Sequence, residues 1–105
     1  MEIIETPIFT KRIKNVLSDE EYSQLQWALV INPEAGAVIP GAGGLRKLRW
    51  AVRGKGKRGG LRVIYYWYVS DEKIYMLLAY KKSEQEDLTN KQITVLREYL
   101  KGGLS

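Results

Sequence analysis

A chain of 105 residues with 45% apolar residues and three tryptophans has the composition of one folded domain with a single core, spanning residues 1–105, and not of a disordered segment. Cysteine and histidine are both absent, which excludes a disulfide framework, thiolate chemistry, and the commonest general base and metal ligand; no cofactor or metal is expected. Seventeen Lys and Arg against 12 Asp and Glu give a net charge of +5 and a pI near 9.5, the balance of a protein that meets a polyanion.

The first strand is expected at residues 2–6, around Ile3 and Ile4. Thr6-Pro7 then reads as a helix start, because Thr accepts from an early helical N–H and Pro suits the first helical position. Phe9, Ile13, Val16 and Leu17 follow at helical spacing. Ser18 with Glu21 forms a capping box for a second helix, whose stripe of Tyr22, Leu25, Ala28 and Leu29 ends at Asn32-Pro33. A glycine-rich loop over 34–44 leads to a strand with Leu45, Leu48, Trp50 and Val52. The strongest strand is at 61–69, β-branched and aromatic throughout, and a third long strand at 73–80 follows the tight turn Ser70-Asp71-Glu72. Ser83 with Glu86 and Thr89 with Gln92 both spell capping boxes for a last helix, with Ile93, Leu96, Tyr99 and Leu100 as its stripe and Gly102 as its stop. The order β-α-α-β-β-β-α predicts an α+β domain: two N-terminal helices packed on a twisted antiparallel sheet, with the helices gathered on one face in two layers.

The charge is concentrated in residues 45–69, which hold Arg46, Lys47, Arg49, Arg53, Lys55, Lys57, Arg58 and Arg62, with no acid between Glu34 and Asp71. The rest of the chain sets nine cations against all 12 acids. Gly54-Lys55-Gly56-Lys57-Arg58-Gly59 matches G-x-G-x-x-G, but a dinucleotide site requires a helix to follow and here a strand does. Glycines interleaved with cations let a backbone approach and neutralise phosphates, so Arg53, Lys55, Lys57 and Arg58 read as RNA-binding, together with Arg46 and Lys81. The plain alternative is a soluble hairpin tip. Strand alternation places Lys47 and Arg49 on one face, and an antiparallel partner can bring Arg62 beside them; a solvated sheet face is the plain alternative there. Among Tyr65, Tyr66, Trp67 and Tyr68, alternation turns half inward to the core and leaves half for stacking on bases.

Gly43-Gly44-Leu45-Arg46-Lys47-Leu48-Arg49 and Gly59-Gly60-Leu61-Arg62-Val63-Ile64-Tyr65-Tyr66, with the Tyr80-Lys81-Lys82 strand end, resemble the RelE superfamily, and most closely its HigB-type branch. The resemblance covers nearly the whole chain. It implies a microbial RNase-type fold with the active site on the concave face of the sheet. It also implies the toxin of a type II toxin–antitoxin pair, an endoribonuclease that cuts translated mRNA on the 70S ribosome through attack by the RNA's own 2′-hydroxyl. The implied site is Arg62 first, then Lys47, Arg49 and Lys82. Some relatives carry a tyrosine a few residues after the last strand; here that neighbourhood reads Glu86-Asp87-Leu88, so the role falls to Tyr80 or is absent, and no general base is assigned. The partner implied is a cognate antitoxin, a helix-turn-helix protein of HigA type.

Two other readings use the same residues. A non-catalytic RNA- or ribosome-binding module would use the basic patch for affinity alone. A DNA-binding module would need a basic recognition helix, and the cations lie on strands and a loop. No apolar run approaches the roughly 18–20 residues that span a bilayer, and the opening Met-Glu-Ile-Ile-Glu places acids where a secretory signal needs cations. A cytoplasmic protein without a membrane partner is expected.

Overall fold

The computed structural model describes residues 1–52 and 60–104, with side chains through residue 102. Strand β1 (Glu2–Glu5) is followed by helices α1 (Pro7–Val16) and α2 (Asp19–Ile31), a two-residue strand β2 (Ala37–Val38), strands β3 (Arg46–Trp50), β4 (Leu61–Tyr68) and β5 (Lys73–Lys81), and helix α3 (Asn90–Leu104). The helix starts are local chemistry. Thr6 Oγ1 accepts from the Phe9 N–H at 3.1 Å, and Ser18 and Glu21 exchange both bonds of the capping box. At α3 only the Thr89–Gln92 pair forms such a box; the Ser83–Glu86 spelling lies in the connection from β5, so it caps nothing. Gly102 does not end α3, which runs on to Leu104; a helical glycine costs about 1 kcal/mol and forbids nothing.

The five strands form one sheet in the order β1-β5-β4-β3-β2. The β3-β4-β5 meander is antiparallel as expected; β2 pairs antiparallel with β3 inside the segment read as a loop, and β1 adds to the far edge parallel to β5, pairing Ile3 with Ile74 and Glu5 with Met76. Parallel pairing needs a long connection, which the helical hairpin and the three strands between β1 and β5 supply. Thr6 then fastens this edge by donating its hydroxyl to the Leu77 carbonyl at 2.9 Å.

One face carries α1 and α2, whose Phe9, Ile13, Leu25 and Leu29 are buried with Leu61, Val63, Tyr65 and Met76. The opposite face carries α3, whose Leu96 and Leu100 are buried with Leu45, Ile64, Leu77 and Tyr80. The helices therefore occupy both faces, in three layers and not two. Strands apolar on both sides require it: Ile64, Tyr75 and Leu77 would stand in water if only the first face were covered.

Strand β5 contains an irregularity. Tyr65 pairs with Met76 but Ile64 pairs with Leu78, so Leu77 is an extra residue in the ladder. Simple alternation from Ile74 and Met76 would turn Tyr80 into the α1/α2 core. The bulge reverses the phase, sets Tyr80 on the α3 face, and sends Lys81 to the other.

Candidate nucleic-acid interface

The strand registers build the site. Arg49 pairs with Arg62 across β3 and β4, and Arg62 pairs with Tyr80 across β4 and β5, so the three share one row on the α3 face. Lys47 lies on the same face one pleat away, opposite Ile64. Arg49 is exposed, while Lys47 and Arg62 are half-buried. Two guanidinium side chains placed directly opposite each other repel, a contact that costs stability. The row contains no acid, so an anion lying over it is what would turn the repulsion into binding.

The groove beside this row has a volume of about 470 Å³. Lys47, Arg49 and Asp87 line its charged side, and Val38, Ile39 and Pro40 its apolar side. Asp87 Oδ1 accepts from Lys47 Nζ at 3.2 Å and from the Leu88 N–H at 2.9 Å. The Leu88 N–H first, and then the Lys47 ammonium, hold the Asp87 carboxyl below the usual carboxylate range, with Arg62 adding a smaller pull. Tyr80 is 3% exposed, and its hydroxyl has no hydrogen-bond partner among the described residues. Burial first, and then Asp87, push the Tyr80 hydroxyl above the usual phenol range, against a smaller opposing effect of Arg62. Among the described residues no group of three or more acids could hold a metal ion.

The other residues singled out from the sequence have different surroundings. Arg46 points away from the row, donating to the Gly36 carbonyl at 2.8 Å and, more weakly, to the Glu34 carbonyl at 3.4 Å. These bonds close the segment between α2 and β3. There Gly36 must lack a side chain, since a Cβ would stand 2.7 Å from the Tyr65 ring. Lys81 pairs with Leu61, on the α1/α2 side of the sheet. Lys82 is exposed just past β5, its N–H donating to the Gly60 carbonyl at 2.9 Å. Arg53, Lys55, Lys57 and Arg58 lie outside the described residues. The aromatic block splits by alternation: Tyr65 is fully buried, and Tyr66 and Tyr68 stack at 6.4 Å on the α3 face.

Asp87 was not singled out in the sequence. It lies 40 residues from Lys47, and no local pattern links an acid two residues ahead of a helix cap to a lysine in a distant strand. The nearest signal was indirect, in that a lysine and arginine cluster this dense in a folded chain must meet either solvent or an acid from elsewhere.

Fold and row define a small basic α+β protein whose strand cations gather on one face of the sheet. The family model described as the RelE toxin of the RelE/RelB toxin–antitoxin system matches residues 1–104. The chain belongs to this family of toxins. Among solved structures it is similar to a doubly substituted mutant of the Escherichia coli toxin RelE in the free state, with a TM-score of 0.58 and 19% sequence identity over 81% of this chain and 86% of that one. That likeness concerns the fold. The family match does not separate one branch from another, HigB-type included.

Proposed function

We propose that this toxin is a single-domain endoribonuclease that cleaves translated mRNA in the decoding site of the 70S ribosome and so inhibits translation. The observation that carries the reading is the row Arg49–Arg62, two cations opposed on rigid strands with Lys47 beside them and a groove of nucleotide size alongside. One phosphodiester over the row would accept hydrogen bonds from both guanidinium groups, and the apolar wall of Val38, Ile39 and Pro40 gives a ribose or base a surface to lie on. Attack by the RNA's own 2′-hydroxyl needs no metal. It needs the charge that builds on the phosphate oxygens to be stabilised, and preorganised cations do that better in the reaction's transition state than in its ground state. Family membership supports the partners: the ribosome with its mRNA, and a cognate antitoxin that we assign to the helix-turn-helix, HigA-like kind.

Removing one such donor typically costs about 10²–10³ in rate. Arg62→Ala is therefore expected to abolish growth arrest and to remove the new 5′ ends that appear within translated mRNA when the protein is induced, while a melting curve shows the fold intact. A folded Arg62→Ala variant that still cuts translated mRNA at the wild-type rate removes the clamp from this reading. Salt-sensitive RNA binding with no new 5′ ends, even for the wild type, selects the non-catalytic binding module.

A further inference from the structure

The strand cations can hold an anion, but protonated Lys and Arg side chains carry no acceptor for a proton. The chain has no histidine to supply one. Cleavage by 2′-hydroxyl attack still requires that the hydroxyl lose its proton. The acid that meets the strand cations is Asp87, which lines the groove with Lys47 and Arg49. Its side chain is 64% exposed, open to a bound nucleotide. Oδ1 is engaged by Lys47 and by the Leu88 N–H, while Oδ2 accepts no hydrogen bond among the described residues.

The connection between β5 and α3 holds this carboxylate in place from both ends. On the β5 side, Glu84 Oε1 accepts from the Lys81 N–H at 2.8 Å and pairs with Arg12 of α1. On the α3 side, Gln85 Nε2 donates to the Asp87 carbonyl at 2.8 Å and to Gln92 Oε1 at 2.9 Å, and Gln92 is itself locked to Thr89 by the capping box. A side chain set on a loop this well fastened is aimed, in the way that catalytic groups must be.

We propose that Asp87 is the general base of the reaction, accepting the proton of the 2′-hydroxyl on Oδ2. The inference rests on the RNA-cleaving reading above. In the step, the 2′-oxygen forms its bond to phosphorus as its proton passes to Asp87, and the bond from phosphorus to the 5′-oxygen of the next nucleotide breaks. The departing 5′-oxygen takes a proton from the Lys47 ammonium. Asp87 then returns its proton to Lys47 across their 3.2 Å contact, which restores both charges without water or metal. The products are a 2′,3′-cyclic phosphate and a 5′-hydroxyl.

The groups around Asp87 set its basicity, and substrate changes them. Lys47 and Arg49 face it from β3, Arg62 from β4, and the neutral Tyr80 hydroxyl from β5. In the free protein the Leu88 N–H first, and then the pairing with Lys47, make the carboxylate a weak base. A phosphodiester competes for Lys47 and brings its own negative charge, and both changes raise the proton affinity of Asp87. The base is thus strengthened by the substrate it serves.

The test is single-turnover cleavage of mRNA on programmed ribosomes by the full-length wild type, Asp87→Asn and Asp87→Glu, each checked for folding by its melting curve. Asp87→Asn is expected to lower the maximal rate by about 10²–10⁴-fold, with no rise in the protein concentration giving half-maximal rate. Asp87→Glu, which keeps a carboxylate, is expected to retain measurable cleavage. Asp87→Asn cutting at or above the wild-type rate overturns the proposal, leaving a carboxylate that merely screens Lys47. A loss that appears as weakened binding with an unchanged maximal rate also overturns it. If Asp87→Asn does not fold, Asp87→Glu decides: no cleavage by a folded Asp87→Glu is the overturning result. A wild type that leaves programmed mRNA intact fails at the earlier step, and takes the cleavage reading and this one together.

Discussion

Tyr65 and Tyr80 stand on adjacent strands of one sheet and face opposite layers. Tyr65 lies under α1 and α2, where its hydroxyl donates to the Pro33 carbonyl at 2.7 Å and accepts from the Gly36 N–H at 2.8 Å. Tyr80 lies on the α3 face, equally buried, with an unpartnered hydroxyl between Arg62 and Asp87. The arginines divide the same way, Arg46 donating to backbone carbonyls and Arg49 facing Arg62 across the ladder. On the first face Tyr65 and Arg46 are satisfied and hold the chain together. On the second the Tyr80 hydroxyl is unpartnered and Arg49 opposes Arg62, which costs stability and leaves capacity for a ligand. A sheet with period-two alternation can keep these two tasks on opposite sides of the same strands.

The sharpest way to break that division is in the first face. Phe9→Ala empties the middle of the α1/α2 core and is expected to cost about 3–5 kcal/mol, a large part of a small domain's stability, so cleavage should disappear together with the cooperative urea transition. Tyr65→Phe comes next. It leaves the Gly36 N–H without its partner and is expected to cost about 1–3 kcal/mol by urea titration at neutral pH. Burial raises the Tyr65 hydroxyl above the usual phenol range, so the folded state keeps its proton longer than the unfolded chain does. That contribution is fully present below about pH 10 and is lost as pH rises through the folded value, so the variant should also show a shallower alkaline decline. Smallest is Tyr80→Phe, which removes an unbonded buried hydroxyl and is expected to raise stability by up to about 1 kcal/mol. A loss of stability there would reveal a partner for the hydroxyl, such as an ordered water, and would blur the contrast with Tyr65.

What could be read from sequence was what depends on neighbours in the chain. The Thr6 and Ser18 caps, the end of α2 at Asn32 and the facing of Lys47 with Arg49 follow from residues within one turn or one pleat. Three features depend on distant residues and were hidden. The parallel docking of β1 on β5 links residues more than seventy apart, and nothing in Ile3 and Ile4 says which edge they join. The placement of α3 on the second face is set by Ile64, Tyr75 and Leu77 needing cover, which the two-layer expectation did not count. The bulge at Leu77 leaves no trace in composition, yet it exchanges the faces of Tyr80 and Lys81 and so decides which of them reaches the cation row. The contacts of Arg46 were hidden for a related reason: its charge suggested RNA and gave no sign of the two carbonyls after α2 within its reach.

The parallel edge strand also sets an order of assembly. β3, β4 and β5 are joined in sequence and can pair as soon as each is made, whereas β1, made before them, has no partner until residues 73–76 follow it. Its closure, with the Thr6 bond to Leu77, is a contact of high sequence separation and is expected late in folding. Until then α1 lacks the strand it packs on, so a nascent chain of this toxin emerges from its own ribosome unfinished at the edge opposite its basic face.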